Sequence, residues 1–173
     1  FANAKYCLIQ LEIPQSAVRA ALSLSKSQGV FNILDPAPCR RLSKSLLQLV
    51  DIITPNEFEL AELTGMPVKT KRNIECAGEK LFQTGVGEVI VTCGERGVCH
   101  LSGDGANWFS APKVNAIDTV GAGDCFNGSL ASALSSDLGM AEAIRFAVST
   151  SAHAVTIRGV QSSFPELKPS NCY

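Results

Sequence analysis

Three short, almost continuously apolar runs near the start of this chain leave few folds open to it. Tyr6–Leu11, Val30–Leu34 and Asp51–Thr54 read as strands, because a strand buried on both faces shows an apolar run rather than alternation. The segments between them carry a helical period. Val18, Ala21, Leu22 and Ser25 fall on one face of a helix over residues 15–28, with Gly29 as its stop, and a second helical stretch covers Leu42–Leu49. Strand, helix, strand, helix, strand is the alternation of an α/β fold with a parallel sheet and crossover helices. Ligands of such sheets sit beyond the carboxyl ends of the strands. Glu12, Asp35 and Asn56 all fall at those ends.

The pattern continues downstream. Thr54-Pro55-Asn56-Glu57-Phe58-Glu59 opens a helix to Leu63, stopped by Gly65, and Asn56 with acid in the first turn is ordinary helix-start chemistry. Residues 73–84 are amphipathic, with Ile74, Ala77, Leu81 and Phe82 inward. Glu88–Thr92, a glycine turn through Gly94 and Gly97, and Val98–Leu101 read as a hairpin. Trp108–Ser110 reads as a short strand before Pro112. From Gly139 a long helix presents Ala141, Ile144, Ala147, Val148, Ser151 and Ala152, ending near Gly159.

A chain of 173 residues with 46% hydrophobic content suits one continuous domain with a substantial core, and no repeat or low-complexity linker interrupts it. A net charge of -1 gives no reason to expect nucleic acid or an anionic membrane as partner. No run of about 18 apolar residues is present for a membrane span. The 7 cysteines are scattered without a C-x-x-C pair and, with 2 histidines, form no metal-ligand spacing. Reduced thiols in a cytoplasmic protein are expected.

The chemistry concentrates in Asp118-Thr119-Val120-Gly121-Ala122-Gly123-Asp124-Cys125-Phe126-Asn127-Gly128. Here an apolar segment passes through two glycines into a helix whose face carries Phe126, Leu130, Ala133 and Leu134. The first amides of a helix lack internal partners and carry partial positive charge, so a glycine turn into such an end can cradle an anion. Asp124 stands in that cradle. It could be a helix cap, or it could take a proton from a hydroxyl attacking a phosphoryl group. No Gly-x-x-x-x-Gly-Lys-Ser/Thr occurs, and Phe126 stands where a dinucleotide fingerprint needs its third glycine.

This stretch resembles the C-terminal signature of the PfkB-type carbohydrate kinases, the ribokinase family. Four other segments match in the family's order: Gln10-Leu11-Glu12-Ile13-Pro14, Asp35-Pro36-Ala37-Pro38, Asn56-x-x-Glu59 and Thr92-x-Gly94-x-x-Gly97. The resemblance implies a three-layer α/β/α sandwich with a mostly parallel sheet, residues 1–173 being its C-terminal portion without the N-terminal part and lid. It implies Asp124 as general base, with Gly121, Ala122 and Gly123 forming the anion hole. It implies Glu12, with Asp124, on the sugar, and Asn56, Thr92, Gly94, Glu95, Gly97, Gly123 and Val148 on ATP. Asn56 and Glu59 would organise Mg²⁺. Asp118, Val120, Val155, Gly159 and Ser163 would surround K⁺.

The function expected from these residues is ATP-dependent phosphorylation of a sugar hydroxyl, with ribose to ribose 5-phosphate favoured. The alternative is a nucleotide-binding but catalytically incomplete chain, or an interaction module, since the family's sugar-gripping segment lies upstream of what is seen here. The expected partners are a small sugar and ATP, with a homodimer in the full-length protein.

Overall fold

The computed structural model describes residues 3–166. The chain forms two compact units: residues up to Cys93 together with Cys99–Trp108, and Gly94–Val98 together with residues from Phe109 onward.

The first unit is built on parallel strands. Strands β1 (Tyr6–Ile9), β2 (Phe31–Leu34), β3 (Ile52–Ile53) and β4 (Glu88–Thr92) alternate with helices α1 (Gln15–Ser27), α2 (Lys44–Leu47), α3 (Glu57–Thr64) and α4 (Lys71–Phe82). The sheet continues through β5 (Val98–Ser102) and β6 (Gly105–Phe109), and its spatial order follows the sequence from β1 to β6. Tyr6 lies opposite Phe31, Ile33 opposite Ile52 and Ile53 opposite Val89, all in parallel register. Only two residues, Gly103 and Asp104, join β5 to β6, a connection that permits antiparallel pairing alone. With sequential parallel strands, right-handed crossovers place the intervening helices on one face.

That face holds the core. Leu34, Ile53, Val89 and Val91 pack with Val18 and Leu22 of α1, Leu46 of α2, Leu60 of α3, and Ile74 and Leu81 of α4. Burial of each such side chain stabilises the fold by about 1.5–3 kcal/mol. Ile33, Ile52 and Ile90, on the other side of the pleat, are buried as well. Both faces of the central strands are thus apolar, which is why their sequence runs show no alternation. Asn32 is the polar exception. Its amide Nδ2 donates to the carbonyls of Leu22 at 2.9 Å and Leu49 at 2.7 Å, and its backbone N–H donates to Asp51 at 2.8 Å.

The second unit is centred on α5 (Ala122–Ser135) and α6 (Met140–Ala154), which pack against each other. As the period implied, Phe126, Leu130, Ala133 and Leu134 are buried. The buried face of α6 is wider than expected, because Ala143, Phe146 and Thr150 join Ile144, Ala147 and Val148, while Ala141 is exposed. Arg145 lies over the Phe109 ring, 5.4 Å from its centroid.

Three other boundaries differ from the sequence reading for identifiable reasons. Helix α2 is one turn, begun by the Ser43 side chain accepting the Leu46 amide. Helix α4 starts at Lys71 because Thr70 caps it, accepting the Asn73 amide at 3.1 Å. Strand β6 starts at Gly105, directly after the turn, and its Trp108 is anchored by a 2.9 Å hydrogen bond to Glu75 and by Lys71 over its ring.

Candidate active site

Each unit carries its own group of candidate residues. In the first unit they gather at the carboxyl ends of the strands. Asn56 precedes α3 and accepts the Glu59 amide through Oδ1 at 2.9 Å, while Glu59 Oε2 accepts the Asn56 amide at 2.8 Å. This reciprocal cap fixes both side chains without any ligand. Thr92, at the end of β4, bridges to Asn56 in parallel fashion, its N–H donating to the Pro55 carbonyl at 3.0 Å. Asn56, Glu59 and Thr92 are therefore held together at one strand-end corner of the unit.

Glu59 is buried, and burial pushes its carboxyl above the ordinary glutamate value, with the charge of Asp35 adding to the effect against two lowering hydrogen bonds from Asn56. Asp35 is itself buried at the end of β2, accepting from the Gln10 amide at 3.0 Å and the Ala37 N–H at 3.2 Å. Sequence reasoning missed this coupling. It placed Asp35 at a strand end without pairing it with Glu59, because the two acids are brought together by packing and not by sequence spacing. Glu12 lies exposed in the bend after β1, beyond the strand end where the sequence placed it.

In the second unit, Gly94–Arg96 forms a single 3-10 turn closed by the Gly97 amide on the Gly94 carbonyl at 3.0 Å. The turn replaces the simple hairpin loop the sequence suggested. Gly97 has φ 89°, and a Cβ there would run into the Phe109 carbonyl, so only glycine fits. Glu95 is exposed on the turn.

Gly121 caps α5 in the left-handed region at φ 78°, where a Cβ would strike Val160. Gly123 differs, since nothing lies within 4 Å of where its Cβ would be. The first turn of α5 is thus approachable at Gly123. Asp124, the acid of that first turn, is exposed beside it. Ala122 is half-buried, its N–H donating to the Thr119 carbonyl at 3.2 Å.

The remaining candidates form a loop pair behind this turn. Asp118 accepts the Val120 amide through Oδ1 and the Gly159 amide through Oδ2, each at 3.1 Å. Those two bonds, with help from the charge of Arg158, hold its carboxyl below the ordinary aspartate value. The Val155 carbonyl accepts the amides of Ile117 at 2.7 Å and Asp118 at 3.1 Å. Ser163 is buried and donates to the Val160 carbonyl at 2.7 Å. Asp118, Val155, Gly159 and Ser163 are therefore brought into one neighbourhood; Val120 is exposed and reaches it through its backbone. Carboxylate, carbonyl and hydroxyl oxygens are the donors a hard monovalent cation takes. Val148 is buried within α6.

Among the described residues no three His, Cys, Asp or Glu side chains cluster as a metal cage. A divalent ion near Asn56 and Glu59 would therefore draw most of its oxygens from phosphate and water, as Mg²⁺ commonly does.

A mostly parallel sheet with polar residues at its strand ends, and a glycine turn leading to an aspartate at a helix start, make this an α/β protein. The chain belongs to the pfkB family of carbohydrate kinases, whose profile matches residues 1–167. It is 41% identical to the ribokinase of Haemophilus influenzae over 158 residues, covering 91% of this chain and 52% of that protein. It is 38% identical to the deoxyribokinase of Salmonella typhi, covering 96% of this chain and 55% of that protein. Among solved structures it resembles Arabidopsis thaliana ribokinase complexed with ribose and ATP, with a TM-score of 0.90 and 33% identity over 97% of this chain and 54% of that one. The fold is ribokinase-like. The chain spans about half the length of the curated relatives it matches.

Proposed function

We propose that this chain carries the phosphoryl-transfer machinery of an ATP-dependent sugar kinase, with ribose as the favoured acceptor. The observation that supports it most directly is Gly121-Ala122-Gly123-Asp124. One glycine is required by backbone geometry, the other leaves the helix start approachable, and a carboxylate stands beside that approach. In this reading the amides of the turn hold the oxygens of the transferring phosphoryl group, where fixed donors act without reorganising. Asp124 accepts the proton of the attacking sugar hydroxyl. Asn56 and Glu59 orient water and phosphate around Mg²⁺, which when bound neutralises the charge of the phosphates. Thr92, Gly94, Glu95 and Gly97 line the nucleotide, Val148 contributes to the adenine side, and Glu12 binds sugar hydroxyls. Asp118, Val120, Val155, Gly159 and Ser163 hold K⁺, which fixes the direction of the neighbouring turn.

Ribose is favoured by the names of the relatives, and a deoxyribokinase of similar identity is the reason for a substrate panel rather than one assay. The decisive experiment is Asp124→Asn in the full-length protein. A neutral amide cannot accept the proton, and general-base catalysis is worth about 10² to 10⁴ in rate. Turnover should fall by that factor while ATP affinity stays within about threefold. A variant retaining more than about a tenth of its turnover would remove Asp124 from the role.

A further inference from the structure

The segment between β2 and α2 carries a feature that sugar phosphorylation does not use. Arg40-Arg41-Leu42-Ser43 runs through an irregular stretch, and Arg40, Arg41 and Ser43 are all exposed. Ser43 has extended backbone, φ -76° and ψ 149°. An exposed hydroxyl on extended chain, with two guanidinium groups two and three residues before it, is the pattern read by protein kinases whose peptide clefts are lined with carboxylates.

A second observation points to the product of such a reaction. Arg19 of α1 donates through Nη2 to Ser43 Oγ at 2.8 Å and to Ser45 Oγ at 3.1 Å, and through Nη1 to the Ser45 carbonyl at 3.5 Å. All three partners are neutral oxygens. A planar guanidinium held by neutral oxygens lacks the anion it pairs with best, and a phosphate on Ser43 would supply two charged oxygens to its fork where the contact already exists. Ser45, 3.2 Å from Ser43 Oγ, would then donate to the same phosphate. It has Lys44 and Ser43 before it, so the two-arginine spacing singles out Ser43.

We propose that Ser43 is the acceptor for a basophilic serine/threonine protein kinase, and that Arg19 clamps the resulting phosphate, tying residues 39–43 to α1. In the reaction Ser43 Oγ forms a bond to the γ-phosphorus of ATP and the bond from that phosphorus to the β-bridging oxygen breaks. ADP leaves, and the hydroxyl proton passes to the protein kinase's own carboxylate. The added dianion places new charge-assisted bonds across the loop that leads from Asp35 to α2.

The test treats the purified protein with ATP and the catalytic subunit of a cyclic-AMP-dependent protein kinase, and maps the phosphate by tandem mass spectrometry. One phosphate on Ser43 is expected, unchanged in Ser45→Ala. The double variant Arg40→Gln/Arg41→Gln keeps the acceptor and its helix cap, and should lower kcat/KM for modification at least tenfold. Phosphorylation should raise Tm by about 2–6 °C in the parent and leave it unmoved in Arg19→Gln. No incorporation, incorporation elsewhere, or labelling of Ser43 that ignores Arg40 and Arg41 would overturn the acceptor assignment. A Tm rise that survives Arg19→Gln would overturn the clamp.

Discussion

Glu59 does two jobs that a single substitution can separate. Its carboxylate caps α3 by accepting the Asn56 amide, and it sits buried with Asp35 as an electrostatic neighbour. Its folded carboxyl binds a proton more readily than the unfolded one. Its contribution to stability is therefore complete below the ordinary glutamate value and is lost as pH rises through the raised value. Glu59→Gln keeps an acceptor for the cap and removes the buried charge. Its Tm at neutral pH should equal or exceed that of the parent, while Mg²⁺-dependent turnover of the full-length protein falls at least about tenfold. Glu59→Ala loses the cap too, at about 1 kcal/mol, and Tm should drop by about 2–4 °C. If Gln and Ala variants lose turnover and stability in parallel, the residue is structural only. Asp118 behaves oppositely. Its contribution is complete above the ordinary aspartate value and disappears as pH falls through the lowered one. The Val120 and Gly159 amide NMR signals should titrate together in that acidic range, and independent titrations would show that the two loops are not joined through Asp118.

Among the elements, the turn leading into α5 gives the sharpest contrast. Gly121 needs positive φ and has Val160 against it, so Gly121→Ala should cost about 1–3 kcal/mol of stability. Gly123 is already helical with open space beside it, so Gly123→Ala should stabilise α5 by about 0.5–1 kcal/mol. If phosphate oxygens approach that amide, the added methyl group should nevertheless lower turnover of the full-length protein at least tenfold. Thermal melts alongside steady-state rates check both halves, and a Gly123→Ala protein with unchanged turnover would place the anion elsewhere. Features of this local kind were legible in the sequence. The glycine pair, the Asn56–Glu59 cap and the face of α5 each depend on residues within a few positions of one another, where backbone geometry decides. The influence of Asp35 on Glu59 and the bond from Trp108 to Glu75 were not legible, because they join distant residues through packing. The same holds for α6, whose small residues allow several faces to be buried, so that its partner, not its period, chose Ala143 and Phe146 over Ala141.

For the whole molecule, the comparison with longer relatives makes this 173-residue chain a test of how sugar and nucleotide chemistry divide. The residues proposed above for ATP, Mg²⁺ and K⁺ lie within it, whereas the sugar side of that proposal rests on Glu12 and Asp124. Positioning two reactants against each other is worth about 7–11 kcal/mol of barrier, and a site able to orient only one of them forfeits much of that. The chain alone should therefore bind ATP–Mg²⁺ weakly and phosphorylate nothing. The sheet sharpens the expectation. Among the described residues strand β1 pairs with β2 alone, and Leu8 of β1 and Phe31 of β2 are 40% and 55% exposed. An open strand edge flanked by apolar side chains is a template for association, so the purified chain should run larger than a monomer on size exclusion. Calorimetric titration with ATP–Mg²⁺ and a coupled ADP-release assay with ribose decide the rest. Heat of binding without ribose-dependent ADP release is the expected pair of results. Ribose-dependent release at the rate of a full-length relative would mean that residues 1–173 already orient the sugar, and that Glu12 and its surroundings do far more than one hydrogen-bonding carboxylate can.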